Sequence, residues 1–101
     1  MLAFMIHRAA LKERQSLPAE IGLIFAEVEE VIVFVDAHAA GLAHKRESGW
    51  GKRAMLVADA RHMGVTYRMA WEAISRSNVF IWQYGPHEGF YKRLDRRANR
   101  R

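Results

Sequence analysis

The sequence predicts one mainly α-helical domain with a small β-hairpin near its end, arranged as a winged helix-turn-helix. Three observations predict this fold class: a helical hydrophobic stripe over residues 18–46, a glycine-containing corner near residue 64, and a β-branched, aromatic run at residues 79–84. With 101 residues, half of them hydrophobic, the chain is long enough for one small core. We divide it into a helical packing part (1–47), the winged helix-turn-helix (48–94) and a basic tail (95–101).

The composition excludes several classes of protein. There is no cysteine, which rules out a disulfide scaffold, a zinc ribbon and thiol catalysis. The longest apolar segment, 21–35, contains three glutamates and is too charged to cross a bilayer. The apolar opening residues lack the charge order and cleavage site of a secretory signal. We therefore expect a cytoplasmic protein that does not engage a membrane.

The first half of the chain favours helices. Residues 1–14 show weak helical spacing, and Ser16 and Pro18 are typical of the start of a second helix. From Pro18 to Arg46, apolar residues recur at steps of three and four and form a wide stripe. A short corner cannot cover the whole stripe, so we predict a homodimer that pairs through this helix.

Residues 52–77 indicate two short helices that meet at a tight corner. A helix-turn-helix needs a small residue where its helices cross, and Ala60 supplies one. It also needs a residue that tolerates positive φ at the turn, and Gly64 follows four positions later. Thr66 is placed to cap the second helix, which we expect to span residues 67–77.

The segment after the corner predicts the wing. Residues 79–84 are a strand by type, residues 85–89 form a turn, and residues 90–92 return as the partner strand. Wings commonly lie along the phosphate backbone of DNA, where Lys92 and Arg93 would be useful. If the tail is helical, its arginines fall along one face at every fourth residue.

The corner also resembles a known family. Residues 60–74, Ala-Arg-His-Met-Gly-Val-Thr-Tyr-Arg-Met-Ala-Trp-Glu-Ala-Ile, are similar to the DNA-reading corner of the bacterial molybdate-responsive repressors. The resemblance implies a winged helix-turn-helix whose second helix enters the major groove, with Thr66, Tyr67, Arg68 and Glu72 at the DNA. The chain is too short for that family's oxyanion-binding domain, so molybdate sensing is not implied.

The charge distribution agrees with a polyanionic partner. Residues 1–47 carry a net charge of −2 and residues 48–101 carry +7. The sequence thus predicts a small transcription regulator that binds duplex DNA without a cofactor or metal. The candidate DNA-binding residues are Lys52, Arg53, Thr66, Tyr67, Arg68, Glu72, Arg76, Lys92, Arg93, Arg96 and Arg97.

Two alternatives remain beside this interpretation. The chain could be an interaction module or inhibitor of mobile-element type, whose basic surface binds a protein partner in a host nucleic-acid-handling complex. It could also be a basic ribonuclease toxin that uses His62 or His87 with nearby arginines, an enzyme class that often lacks a sequence signature. The five histidines do not fall at the spacing of a helical metal pair, and no nucleophile elbow or phosphate loop is present. We therefore predict that the protein is not an enzyme.

Overall fold

The chain folds as a mixed sheet with helices on both faces. The computed structural model describes residues 3–34, 44–47, 55–75 and 78–99. Its elements are β1 (Ala3–Ile6), α1 (Arg8–Gln15), α2 (Ala19–Phe34), β2 (His44–Glu47), β3 (Met55–His62), β4 (Val65–Ser75), β5 (Asn78–Pro86) and α3 (Phe90–Asn99). The strand order is β1-β5-β4-β3-β2, in which β1 runs parallel to β5 and the other neighbours are antiparallel. Within the described ranges, no helix is long and apolar enough to cross a membrane.

The centre of the sheet is a hairpin formed by β3 and β4. Met63 and Gly64 connect the two strands, with φ angles of 50° and 77°. Positive φ at both central residues of a two-residue connection is the mark of a type I′ turn, whose twist matches that of paired strands. The register places His62 opposite Val65 and Asp59 opposite Arg68.

Each face of the sheet is covered by helices. On one face, which we call the α1/α2 face, the apolar side of α2 packs against alternate residues of the central strands. On the other, the α3 face, Phe90, Leu94 and Ala98 of α3 cover Met55, Val57 and Ala70. The residues of the larger cluster are Ala10, Ile21, Phe25, Val28, Ile32, Leu56, Ala58, Ala60, Met69, Trp71, Val79, Ile81 and Tyr84.

The outer edge of β5 is completed by side chains. β1 pairs with residues 78–81, and among the described strands none pairs with the rest of that edge. There the carboxylate of Glu13 accepts a hydrogen bond from the backbone N–H of Tyr84 (3.2 Å). The guanidinium of Arg97 donates to the carbonyl of Trp82 (2.8 Å) and pairs with both oxygens of Glu13 (2.9 Å each). α1 and α3 are thereby joined across this edge of β5.

The predicted mainly α, winged helix-turn-helix fold is wrong. The two segments expected to be the corner helices are the central strands β3 and β4, and Gly64 lies in their hairpin turn. The error has a physical cause, because a strand covered on both faces buries consecutive residues and loses the period-two pattern. Residues 55–58 are all buried. A glycine with positive φ is needed by both kinds of turn, so it could not distinguish them.

Other elements differ at their limits. Residues 3–6 are a strand rather than the start of a helix, and Ser16 caps the end of α1 instead of beginning α2. The long helix predicted for 18–46 is helical through Phe34; residues 35–43 lie outside the described part of the chain, and 44–47 form β2. The predicted strand 79–84 is confirmed within β5, whereas the expected return strand 90–92 is the first turn of α3.

The hydrophobic stripe of α2 serves the chain's own core. Ile21, Phe25, Val28 and Ile32 are each fully buried against the sheet. This stripe was the reason for expecting a homodimer through the helix. Because the sheet already covers it, that reason no longer holds.

Candidate active site at the end of the central hairpin

An ion pair spans the central hairpin near its turn on the α3 face. Asp59 and Arg68 are directly opposite each other on β3 and β4. The guanidinium of Arg68 donates from Nε to Oδ1 and from Nη2 to Oδ2 of Asp59, the latter at 2.9 Å. Such a bidentate geometry fixes both side chains as one planar unit. Arg68 is only 4% exposed, so its charge is held inside the fold and balanced there.

Tyr91 joins this pair to the last helix. The Arg68 guanidinium carbon lies 4.9 Å from the centre of the Tyr91 ring, which is a cation–π distance. Tyr91 belongs to the first turn of α3, so the ion pair is covered from the helix side. Asp59, Arg68 and Tyr91 thus form a rigid platform, and more exposed side chains lie next to it.

Two exposed basic side chains flank this platform. Arg61 is two residues after Asp59 on β3 and therefore belongs to the same face of the sheet, and it is exposed. In register, Arg61 is opposite Thr66, and the carbonyl of Thr66 accepts a 2.8 Å hydrogen bond from the backbone N–H of His87. Arg61 and His87 thus lie on either side of β4, about 10 Å apart between backbones. We call Asp59, Arg61, Arg68, His87 and Tyr91 the hairpin-end site.

This arrangement is suited to a phosphate group. An exposed guanidinium and an imidazole on opposite sides of one strand can meet the same anion from two directions. An imidazole is also the side chain that most often takes or gives a proton near neutral pH. The exposed Lys92 in the first turn of α3 adds positive charge beside the site.

The other histidine proposed from the sequence lies elsewhere. His62 belongs to the α1/α2 face, and its Nδ1 is 3.1 Å from a carboxylate oxygen of Glu20 at the start of α2. Because His62 and Arg61 are adjacent on one strand, they point to opposite faces of the sheet. Only His87 of these two histidines accompanies Arg61 and Arg68.

The residues predicted to read DNA are dispersed over the molecule. Thr66, Tyr67, Arg68 and Glu72 lie on β4, so the recognition helix that they were to form does not exist. Thr66, Arg68 and Glu72 belong to the α3 face, and Tyr67 packs towards α1 and α2. The carboxylate of Glu72 accepts a hydrogen bond from the indole N–H of Trp82 (2.9 Å).

The basic residues of the last segment all belong to α3. Lys92 and Arg96 are exposed. Arg93 donates hydrogen bonds to the carbonyls of Pro86 and Glu88. Arg97 donates hydrogen bonds to the carboxylate of Glu13 and to the carbonyl of Trp82. Lys52, Arg53 and Arg76 lie outside the described residues.

Sequence reasoning missed Asp59, Arg61 and Tyr91 as members of a site. Asp59 was noticed only as an unusual neighbour for a helix crossing. A signal was nevertheless present, because a hairpin centred on residues 63 and 64 places the carboxylate of Asp59 directly opposite the guanidinium of Arg68. Opposite charges facing each other across a strand pair are a typical stabilising arrangement in sheets.

Comparison with known proteins bears on the fold alone. No family model and no curated protein sequence matches the chain. Among solved structures, the chain is similar to the E. coli toxin RelE, determined in the free state as a mutant with two arginines replaced by alanine. The TM-score is 0.65 at 17% sequence identity, and the match covers 96% of this chain and 93% of RelE.

This similarity overturns the functional interpretation drawn from the sequence. Residues 60–74 resemble the helical corner of the molybdate-responsive repressors in sequence, but in the structure they form strands. The assignment of this segment to that family is therefore wrong. The DNA-binding regulator and its duplex DNA partner are wrong with it, since both depended on a recognition helix. Nearly the whole length of the chain instead has the mixed α/β fold seen in the toxin RelE.

Proposed function

We propose that this chain is a toxin that cleaves RNA by acid–base catalysis at the hairpin-end site. The observation that carries the proposal is the position of His87 and Arg61, which flank the buried Arg68–Asp59 pair on the open end of a sheet with the fold of a toxin. The proposal also takes up the ribonuclease alternative that the basic sequence left open. The protein is then an enzyme, contrary to the expectation from its motifs.

RNA suits this set of side chains because it carries its own nucleophile. An imidazole at position 87 takes the proton from a ribose 2′-hydroxyl, and the 2′-oxygen then attacks the adjacent phosphorus. The bond from phosphorus to the 5′-oxygen breaks, that oxygen takes a proton from water, and the protonated imidazole returns its proton to the solvent. The products are a 2′,3′-cyclic phosphate and a 5′-hydroxyl end.

The positive charges have separate tasks in this scheme. Arg61, an exposed member of the site, faces the negative charge that grows on the phosphate oxygens during attack. Arg68 acts as a positioning residue, because its guanidinium is already balanced by Asp59 and covered by Tyr91. The exposed cations of α3 favour the approach of a polyanion at low salt.

The test compares two histidines and two arginines. Messenger RNA is incubated with the purified chain, alone and in a bacterial translation extract, and the new RNA ends are mapped and tested for cyclic phosphate. We expect cleavage by the wild type and a loss of about 100-fold or more in His87→Ala and Arg61→Ala. The matched controls His62→Ala and Arg8→Ala, on the opposite face and on α1, should stay within about twofold.

Two results contradict the proposal. One is the absence of cleavage by the wild-type chain both on RNA alone and in the extract. The other is equal cleavage by His87→Ala and His62→Ala, which would move the chemistry away from the hairpin end.

A further inference from the structure

A small pocket lies at the outer edge of β5, next to the hairpin-end site. Its volume is about 220 Å³, and it is bounded by the end of α1, the first residues of β4, the last residues of β5 and one side chain of α3. Pockets that hold a whole drug-sized ligand measure about 300–1,000 Å³. This pocket therefore fits one ring of a larger ligand rather than a complete ligand.

The lining of the pocket is mostly apolar. Tyr67, Tyr84 and Pro86 belong to this lining, and because Tyr84 is only 1% exposed, Tyr67 and Pro86 offer the accessible ring surfaces. The hydroxyl of Tyr84 is engaged elsewhere, because it donates to Glu29, which also pairs with Arg14. Burial raises the pKa of that hydroxyl, so Tyr84 stays neutral and acts here only as a wall. Aromatic and proline surfaces of this kind accept the face of a planar heterocycle.

A fixed cation closes one side of the pocket. The guanidinium of Arg93 donates to the carbonyl of Pro86 (3.2 Å) and to that of Glu88 (3.0 Å). These two bonds hold the guanidinium beside the pocket. An arginine held in this way can stack on a nucleobase or bind a phosphate next to it.

The pocket and the hairpin-end site share the end of β5. Gly85 lines the pocket and is opposite Arg68 in the sheet register. Pro86, also in the lining, directly precedes His87, so the pocket wall and the imidazole are one residue apart along the chain. Two residues of extended chain span at most about 7 Å, which places Gly85 within one nucleotide's reach of His87.

We propose that this pocket holds the nucleobase adjacent to the phosphate that is cleaved. The inference rests on the proposed RNA-cleaving function and adds to it a site for substrate selection. The base stacks against Tyr67 and Pro86, which are directly opposite each other in the β4–β5 register, while the phosphate attached to its ribose lies at His87. Polar recognition is sparse, because the carboxylate of Glu13 at the rim is already occupied by Arg97 and by the N–H of Tyr84. The pocket consequently selects for a stacked ring more than for a particular hydrogen-bonding pattern.

Binding is measured separately from cleavage to test the pocket. The probes are the four nucleoside 3′-monophosphates, with ribose 5-phosphate as the probe that lacks a base, and the readout is the shift of backbone amide signals in NMR titrations. We expect shifts at residues 84, 85 and 87 with the nucleotides and at least tenfold weaker binding of ribose 5-phosphate. Tyr67→Leu should weaken nucleotide binding at least tenfold, whereas Tyr67→Phe should stay within threefold because it keeps the ring.

Two further variants distinguish loss of the pocket from a general folding defect. Ser16→Phe alters an exposed residue at the pocket rim and should fill the pocket without disturbing the core. Phe34→Leu changes an aromatic residue that is 70% exposed on α2 and serves as the matched control with unchanged binding.

The outcomes separate the pocket from the catalytic proposal. If Tyr67→Leu and Ser16→Phe bind nucleotides as the wild type does, the pocket assignment is overturned even when His87 remains essential for cleavage. Equal binding of ribose 5-phosphate and the nucleotides overturns it as well. If the wild type cleaves no RNA while both pocket variants lose nucleotide binding, the proposed function fails and the base site stands.

Discussion

At the scale of single residues, His7 is held by a backbone hydrogen bond and an aromatic contact, and its surroundings favour the neutral imidazole. Its Nδ1 accepts a hydrogen bond from the backbone N–H of Ala9 (3.1 Å), so the imidazole caps the start of α1. The ring stacks on Trp82 at 5.7 Å between centres. Burial, together with the nearby positive charge of Arg97, lowers the pKa of His7 below its usual 6.5. A proton on Nδ1 would remove the cap acceptor and place a second cation near Arg97.

The lowered pKa of His7 predicts that stability falls on mild acidification. Near pH 6.5 the unfolded chain binds a proton at this position more readily than the folded chain does, so the free energy of unfolding decreases as the pH falls. His7→Asn keeps a cap acceptor without the titrating ring. Between pH 7.5 and pH 5.5, urea unfolding should show a smaller decrease in stability for His7→Asn than for the wild type. Identical pH slopes in the two proteins would refute this role.

The ion pair of Arg68 illustrates how burial and charge are reconciled. A guanidinium this deeply buried would be costly without a partner, and Asp59 supplies both an opposite charge and two acceptors. Asp59 itself remains 27% exposed through its side chain, which leaves a path for solvent to part of the pair. Lysine at position 68 would keep the charge but lose the planar, two-point contact.

At the scale of elements, the turn between β3 and β4 shows how backbone geometry selects residues. Gly64 has no atom within 4 Å of the position that a Cβ would occupy, so the demand for glycine there comes from its φ of 77°. Met63 adopts a φ of 50° with a side chain that is 87% exposed. The side chain of Met63 therefore contributes little to the core, and its backbone conformation is unfavourable for a residue with a long side chain.

Two substitutions in this turn should move stability in opposite directions. Gly64→Ala should destabilise the fold by about 1–2 kcal/mol, since the left-handed conformation disfavours a Cβ. Met63→Asn should stabilise it by about 0.5 kcal/mol, because asparagine followed by glycine is the preferred pair in this turn type. Chemical denaturation of both variants tests the assignment. A neutral Gly64→Ala would show that the turn is not of the type described.

The elements differ in how well the sequence predicts them. The strand around Ile81 was predictable because β-branched and aromatic residues dominate it, and α2 was predictable because its apolar residues follow the helical period. β3 and β4 were not, because both of their faces are buried and residues such as Ala60 and Ala70 have no strong preference for strands. The hairpin-end site inherits this difficulty, since the pairing of Asp59 with Arg68 follows from the strand register alone.

At the scale of the whole molecule, Glu13 and Arg97 connect residues 84 positions apart in the sequence. Their contact ties α1 to α3 and satisfies backbone groups of β5 at the same time. Both side chains are mostly buried, with exposed fractions of 27% and 18%. An uncovered strand edge invites pairing with other chains, and this pair covers part of the edge from within the fold.

A double-mutant cycle should reveal the coupling between these two residues. Glu13→Ala, Arg97→Ala and the double variant are compared by urea denaturation. We expect a coupling free energy of about 1–2 kcal/mol, because each single change leaves a partly buried charge without its partner. The control cycle uses His62 and Glu20, whose carboxylate is 74% exposed, and should give less than about 0.5 kcal/mol. Additive effects of Glu13→Ala and Arg97→Ala would show that the two side chains contribute independently.

The parallel pairing of β1 with β5 has a consequence for synthesis of the chain. β1 comprises residues 3–6 and finds its strand partner only at residues 78–81. A nascent chain therefore cannot complete its sheet until residue 81 has been made, and His87 and Tyr91 are added later still. Contacts between distant parts of a sequence also form slowly. Until β5 has been made, the β3–β4 hairpin therefore keeps one edge without its strand partner.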